Sequence, residues 1–214
     1  MCGIVGYTSK KSVRSRILDA LELLEYRGYD SAGVALSNAE TGTTLVRKCA
    51  GRVSDLRKLC EQDKKIATCG IGHTRWATHG GVSDENAHPH QCGSVSLVHN
   101  GIVENYEELK DHFMLHKVLK SETDSEVVAG ILNHFYEGNP RDAIAKTVKY
   151  LKGTFALVVM FDDQPGVIYA IRNVSPIVAA YCEDGTMLAS DVAALGTHTN
   201  EYMVVPEYEI VELH

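Results

Sequence analysis

A layered α+β fold, with two packed sheets and helices outside them, is predicted by three features of the sequence. Apolar positions recur at helical spacing, as in Val13, Ile17, Leu21 and Leu24. Short β-branched apolar runs bounded by turn residues recur in both halves of the chain. One of them, Ala156-Leu157-Val158-Val159-Met160, is continuously apolar, as a strand covered on both faces must be. With 214 residues, 44% of them apolar, the chain suffices for one domain with a sizeable core.

The elements follow in order. Ile4 to Tyr7 reads as a strand, and the Val13–Leu24 stripe as a helix that stops before Arg27-Gly28, where glycine can turn the chain. Ser31 to Leu36 and Thr43 to Lys48 read as strands joined through the turn-rich residues 38–42, with a short polar helix from Ser54 to Cys60. Thr68 to Thr74 and Ser94 to His99 are strand candidates flanking a long loop, Arg75 to Cys92. Asn105 with Glu108, and Thr123 with Glu126, have capping-box spacing and each should open a helix. Asn139-Pro140 opens another, closed by Gly153. Strands are expected near Phe155–Phe161, Val167–Ile171, Ile177–Tyr181 and Tyr202–Val205.

Composition removes several function classes. A formal charge of −7 and the lack of a basic cluster argue against a nucleic-acid partner. No apolar run is long enough to span a membrane, and the N-terminus lacks a signal-peptide layout. The six cysteines form no C-x-x-C pair, which suits reduced, buried thiols in a cytoplasmic protein.

Chemistry concentrates at five places. Cys2 can be a small buried hydrophobe in the first strand. If Met1 is removed, it instead carries both a thiol and a free α-amine, so nucleophile and base would sit on one residue. In "HTRWATHGGVSDENAHPH" (His73 to His90), Arg75 beside Trp76, Thr78 and His79 can recognise a carboxylate; alternatively, Arg75 makes a structural ion pair and Trp76 is simply a core residue. Asn100-Gly101 ends a strand in "LVHNGIVEN"; the pair is a turn signal, and also the donor set an oxyanion hole needs. Asp124 lies in a first helical turn, where acidic residues are favoured by the helix dipole alone. His88, His90 and Cys92 alternate as zinc ligands can, but no compact fourth ligand accompanies them, so a non-catalytic zinc module is kept only as an alternative.

Taken together, Cys2-Gly3-Ile4-Val5-Gly6, "LEYRGYDSAG" (Leu24 to Gly33), "HTRWATHG" (His73 to Gly80), "NAHPH" (Asn86 to His90), "HNGIVEN" (His99 to Asn105) and "SETDSE" (Ser121 to Glu126) resemble the glutaminase domains of the glucosamine-6-phosphate synthase family. These are class II glutamine amidotransferases. The resemblance implies an N-terminal-nucleophile hydrolase fold over residues 2–214, a four-layer α/β/β/α sandwich of two mainly antiparallel sheets. It implies hydrolysis of L-glutamine through a γ-glutamyl thioester, with Cys2 as nucleophile and its α-amine as base, and with Asn100 and Gly101 as the oxyanion hole. Arg75, Trp76, Thr78, His79 and Asp124 would bind the substrate, and neither cofactor nor metal is implied. Downstream sugar-phosphate isomerase domains would complete the full-length chain, expected to be a homo-oligomer. A phosphoribosyl-pyrophosphate type amidotransferase is the nearest alternative. The sequence departs from the family pattern at Val174, where glycine is expected.

Overall fold

The computed structural model describes residues 2–38, 44–63, 65–77, 80–196, 199 and 201–214. The first half runs β1 (Gly3–Ser9), α1 (Arg14–Leu23), β2 (Ser31–Ser37), β3 (Thr44–Ala50), α2 (Val53–Glu61) and β4 (Cys69–Arg75). There follow β5 (His90–Cys92), β6 (Val95–Val103), α3 (Tyr106–His112), α4 (Asp124–Phe135) and α5 (Pro140–Val148). The chain continues through β7 (Gly153–Phe161), β8 (Ile168–Asn173), β9 (Val178–Cys182), β10 (Gly185–Ala189), β11 (Met203–Val204) and β12 (Val211–Leu213).

The strands form a seven-stranded sheet, ordered β11-β9-β10-β1-β4-β2-β3, and a five-stranded sheet, ordered β12-β8-β7-β6-β5. Every strand-to-strand pairing among these elements is antiparallel. Successive side chains point to opposite faces, so each strand feeds two cores at once. Val5 and Tyr7 pack outward with Ile17, Leu21 and Leu56 of α1 and α2. Ile4, Ile71, Val98, Val158 and Ile168 fill the space between the sheets. Leu97 and Leu157 face the other way, onto Val128, Ile131 and Ile144 of α4 and α5. Three apolar interfaces thus separate four layers, α/β/β/α, and the continuous apolar run in β7 follows from its burial on both faces.

The structure corrects several local expectations. Asn100-Gly101 is not a turn: both residues lie inside β6, opposite Ala156 and Phe155 of β7. Asn105 does not cap α3 with its side chain; it accepts from Lys152 N and donates to Tyr150 O, tying the start of α3 to the α5–β7 connection. Thr123 does accept from Glu126 N, but the Glu126 carboxylate takes the amides of Lys120 and Ser121 instead of closing a capping box. Asn139 caps α5 as expected, with Pro140 at its start. His90 to Cys92, read as loop, forms β5; the expected turn lies outside the described residues from position 39 to 43. β10 and β12 escaped the sequence reading, yet β10 is the central neighbour of β1. All six cysteines are free thiols, although Cys2, Cys92 and Cys182 are only partly buried. No helix among the described residues is long and apolar enough to cross a membrane.

Candidate active site

The head of β1 is where the end of β4 and the interior of β6 meet it. Antiparallel pairing sets Gly3 opposite Thr74 and Ile4 opposite His73, which carries the end of β4 past Cys2. Trp76 N–H donates to Cys2 Sγ at 3.2 Å, and the thiol lies 3.7 Å from Trp76 O. Close approach of that backbone depends on Gly28, where a Cβ would lie 2.7 Å from Trp76 N. Asp30 holds the same turn, accepting from Ala77 N–H at 3.0 Å and donating its own N–H to Arg75 O at 3.0 Å. From the other sheet, Asn100 Nδ2 donates to Cys2 O at 3.0 Å. Gly101 follows with φ +133°, and a Cβ there would stand 2.1 Å from Thr154 O. Only glycine fits, which explains how an Asn-Gly pair can sit within a paired strand.

A cavity of about 310 Å³ adjoins Cys2, Asn100 and Gly101, with Arg27, Ser175 and Ser190 among its other lining residues. Ser190 Oγ accepts from Ile4 N–H at 2.9 Å and so anchors β1 from β10. Burial pushes the Cys2 thiol above its ordinary pKa, against the Trp76 N–H and the Arg75 charge, which pull it down. The thiol is therefore neutral at physiological pH, and nucleophilic use of it needs a base.

Arg75 and Asp124 do not line that cavity. Arg75 is 4% exposed and donates to the carbonyls of Gly81 and Gly80 at 3.0 and 3.3 Å. Asp124, the first residue of α4, accepts from Val103 N–H at 2.9 Å and from Ser125 Oγ at 3.2 Å. Its place at the helix N-terminus thus coincides with a tie to the end of β6, so dipole and tertiary contact act together. Trp76 does not enter the core: its side chain is 48% exposed and meets Tyr29 edge-on at 6.1 Å. Thr78 and His79 lie outside the described residues.

Residues 73–197 match the model of a family described as "Glutamine amidotransferase domain". The chain belongs to this family. As an amidotransferase domain it is 44% identical, over its whole length, to glutamine–fructose-6-phosphate aminotransferase (isomerizing) of Clostridium acetobutylicum, of which it covers 35%. The corresponding protein of Aquifex aeolicus is 46% identical, again over the whole chain and 36% of the relative. The chain therefore spans about a third of the length of these curated relatives. Among solved structures, the allosteric regulatory enzyme of purine biosynthesis superposes with a TM-score of 0.86 at 23% identity, covering 99% of this chain and 46% of that one. Glutamine phosphoribosylpyrophosphate amidotransferase from B. subtilis superposes with a TM-score of 0.82 at 20% identity, covering 99% and 48%. That likeness is one of fold, whereas the 40–46% identities single out the aminotransferase group.

Within the amidotransferase domain, the zinc alternative finds no geometry: among the described residues no group of His, Cys, Asp and Glu could hold a metal ion. His88 stacks on His73 at 4.1 Å and meets His90 at 4.6 Å, and His90 Nε2 turns to Thr123 Oγ1 at 3.0 Å. Sequence reasoning assigned no role to His73, Gly28, Asp30 or Ser190, all of which touch or hold the backbone around Cys2. His73, Gly28 and Asp30 lay inside the motifs "HTRWATHG" and "LEYRGYDSAG", but their contacts cross between strands that no local pattern aligns.

Proposed function

We propose that this domain hydrolyses L-glutamine to glutamate and ammonia on Cys2. The observation that carries the reading is the convergence of the Cys2 thiol, the Asn100 side-chain amide and the glycine-only backbone of Gly101 on one cavity. Removal of Met1 frees the Cys2 α-amine, which takes the thiol proton as sulfur attacks the glutamine side-chain carbonyl carbon. The carbonyl oxygen becomes an oxyanion facing the second Asn100 N–H and Gly101 N–H. Collapse breaks the C–N bond; the amine returns its proton to the departing nitrogen and ammonia leaves. Water then hydrolyses the γ-glutamyl thioester to glutamate and regenerates the thiol.

A free amino acid carries one anion and one cation. Arg75 and Asp124 are the matched pair for its carboxylate and ammonium, with Trp76, Thr78 and His79 as neighbouring contacts. Arg75 already donates to the Gly80 and Gly81 carbonyls, so a carboxylate bound there meets that segment as well. In the longer protein the ammonia would serve conversion of fructose 6-phosphate to glucosamine 6-phosphate on downstream domains of a cytoplasmic homo-oligomer, with residues 2–214 forming the glutaminase unit.

Steady-state ammonia release tests this. Cys2→Ala should abolish turnover. Asn100→Ala should lower kcat by about 10²–10³-fold with little change in KM, as for other oxyanion donors. Arg75→Gln should raise KM strongly. Full turnover by Cys2→Ala would refute the assignment.

A further inference from the structure

The geometry points to His73 as a positioning residue that holds the Asn100 amide in the one orientation able to serve an oxyanion. This inference rests on the reading of Asn100 given above. His73 Nε2 lies 3.0 Å from Asn100 Oδ1 and 3.1 Å from His99 O. Both partners are acceptors, since Asn100 uses its Nδ2 to donate to Cys2 O at 3.0 Å. Nε2 must therefore carry the hydrogen and share it between them, and Nδ1 must be the bare nitrogen. The surroundings agree: Nδ1 is buried and has no hydrogen-bond partner among the described residues, a position where an N–H would be left unsatisfied. The ring is 1% exposed, and His88 stacked on it at 4.1 Å and 28° keeps it from swinging away.

An amide can rotate by half a turn at little intrinsic cost. Here rotation would set the Asn100 NH2 group against His73 N–H and its oxygen against the Cys2 carbonyl, losing both contacts together. His73 thus fixes which end of Asn100 faces the reacting carbon, without itself touching the cavity that holds Cys2.

The test is glutamine turnover by the unaltered chain, His73→Leu, His73→Gln, Asn100→Ala and the double variant His73→Leu/Asn100→Ala, each with Met1 removed. His73→Leu should lower kcat by about 10–100-fold, a fraction of the full loss of an oxyanion donor, with KM within about twofold of the unaltered chain. In the Asn100→Ala background the same change should cost less than about twofold more, because the group it acts through is gone. His73→Gln, whose amide N–H can stand near the Nε2 position, should recover most of the rate. An unchanged kcat in His73→Leu, or an equal loss in both backgrounds, would overturn the inference. Should His73→Leu fail to fold, His73→Gln against His73→Asn decides: the shorter amide cannot reach Asn100, and equal kcat in the two would overturn it. If the unaltered chain releases no ammonia, the glutaminase reading falls and this inference with it; turnover in the unaltered chain separates the two failures.

Discussion

Single residues show where this chain departs from what its neighbourhood prefers. Val174 adopts φ +66° in an exposed turn. For a β-branched residue the left-handed region is costly, of the order of 1–2 kcal/mol. Its N–H is held by the Glu207 carboxylate, and Arg172, which precedes it by two residues, donates to Val174 O and to Glu207. Val174→Gly keeps these backbone bonds and removes the strain, so it should stabilise the domain by about 1 kcal/mol net of the added freedom of the unfolded chain, a rise of ~2–4 °C in Tm. Calorimetry of the two proteins checks this, and an unchanged or lower Tm would contradict it. Glycine was expected at this position from the family resemblance, and the backbone gives the reason. Gly101 shows the same rule satisfied: φ +133° and a carbonyl 2.1 Å from its absent Cβ leave no alternative residue.

At the scale of elements, much was legible. The helical stripe of α1, the Thr123 and Asn139 caps, and the continuous apolar run of β7 each announce an element through chemistry within a few residues. The misreadings share one cause: a local signal overruled by a distant partner. Asn100-Gly101 looks like a turn, but β7 pairs with it on one side and Cys2 O takes its amide on the other. Asn105 has cap spacing, but the Tyr150–Lys152 backbone claims its side chain. β10 has only five residues and no alternating signature; its burial comes from lying between β1 and β9. The candidate site was legible as a set of residue types in motifs. Its geometry was not, because Cys2, Trp76 and Asn100 come from β1, the end of β4 and β6, and only the register of two stacked sheets brings them together.

The whole molecule stores its polar risk between and beside the layers. His73, His88, His90 and His99 are each at most 4% exposed. Burial holds His73 at about 3 and pushes the other three below the ordinary value of 6.5. These folded-state values are depressed, so the unfolded chain binds more protons as pH falls below ~6.5. Stability from keeping the rings neutral is complete above that pH and is lost progressively on acidification, for His73 down to about 3. His73 alone contributes up to about 1.4 kcal/mol per pH unit across that window, and the other three rings add in the same direction. Denaturant unfolding should therefore show a stability lower by several kcal/mol at pH 5 than at pH 7. An equal midpoint at the two pH values would contradict burial of neutral histidines. The same burial makes the thiol at Cys2 neutral and dependent on a base, and the base assigned to it exists only once the preceding peptide bond is cut.

The most direct measurement is ammonia release from glutamine by two preparations that differ only in Met1, their N-termini verified by intact-mass spectrometry. Protein beginning at Cys2 should turn over and, on acid quench, carry a γ-glutamyl adduct on that residue. Protein retaining Met1 should be slower by about 10²–10⁴-fold, the usual worth of a general base. Equal rates from the two preparations would contradict the α-amine mechanism outright.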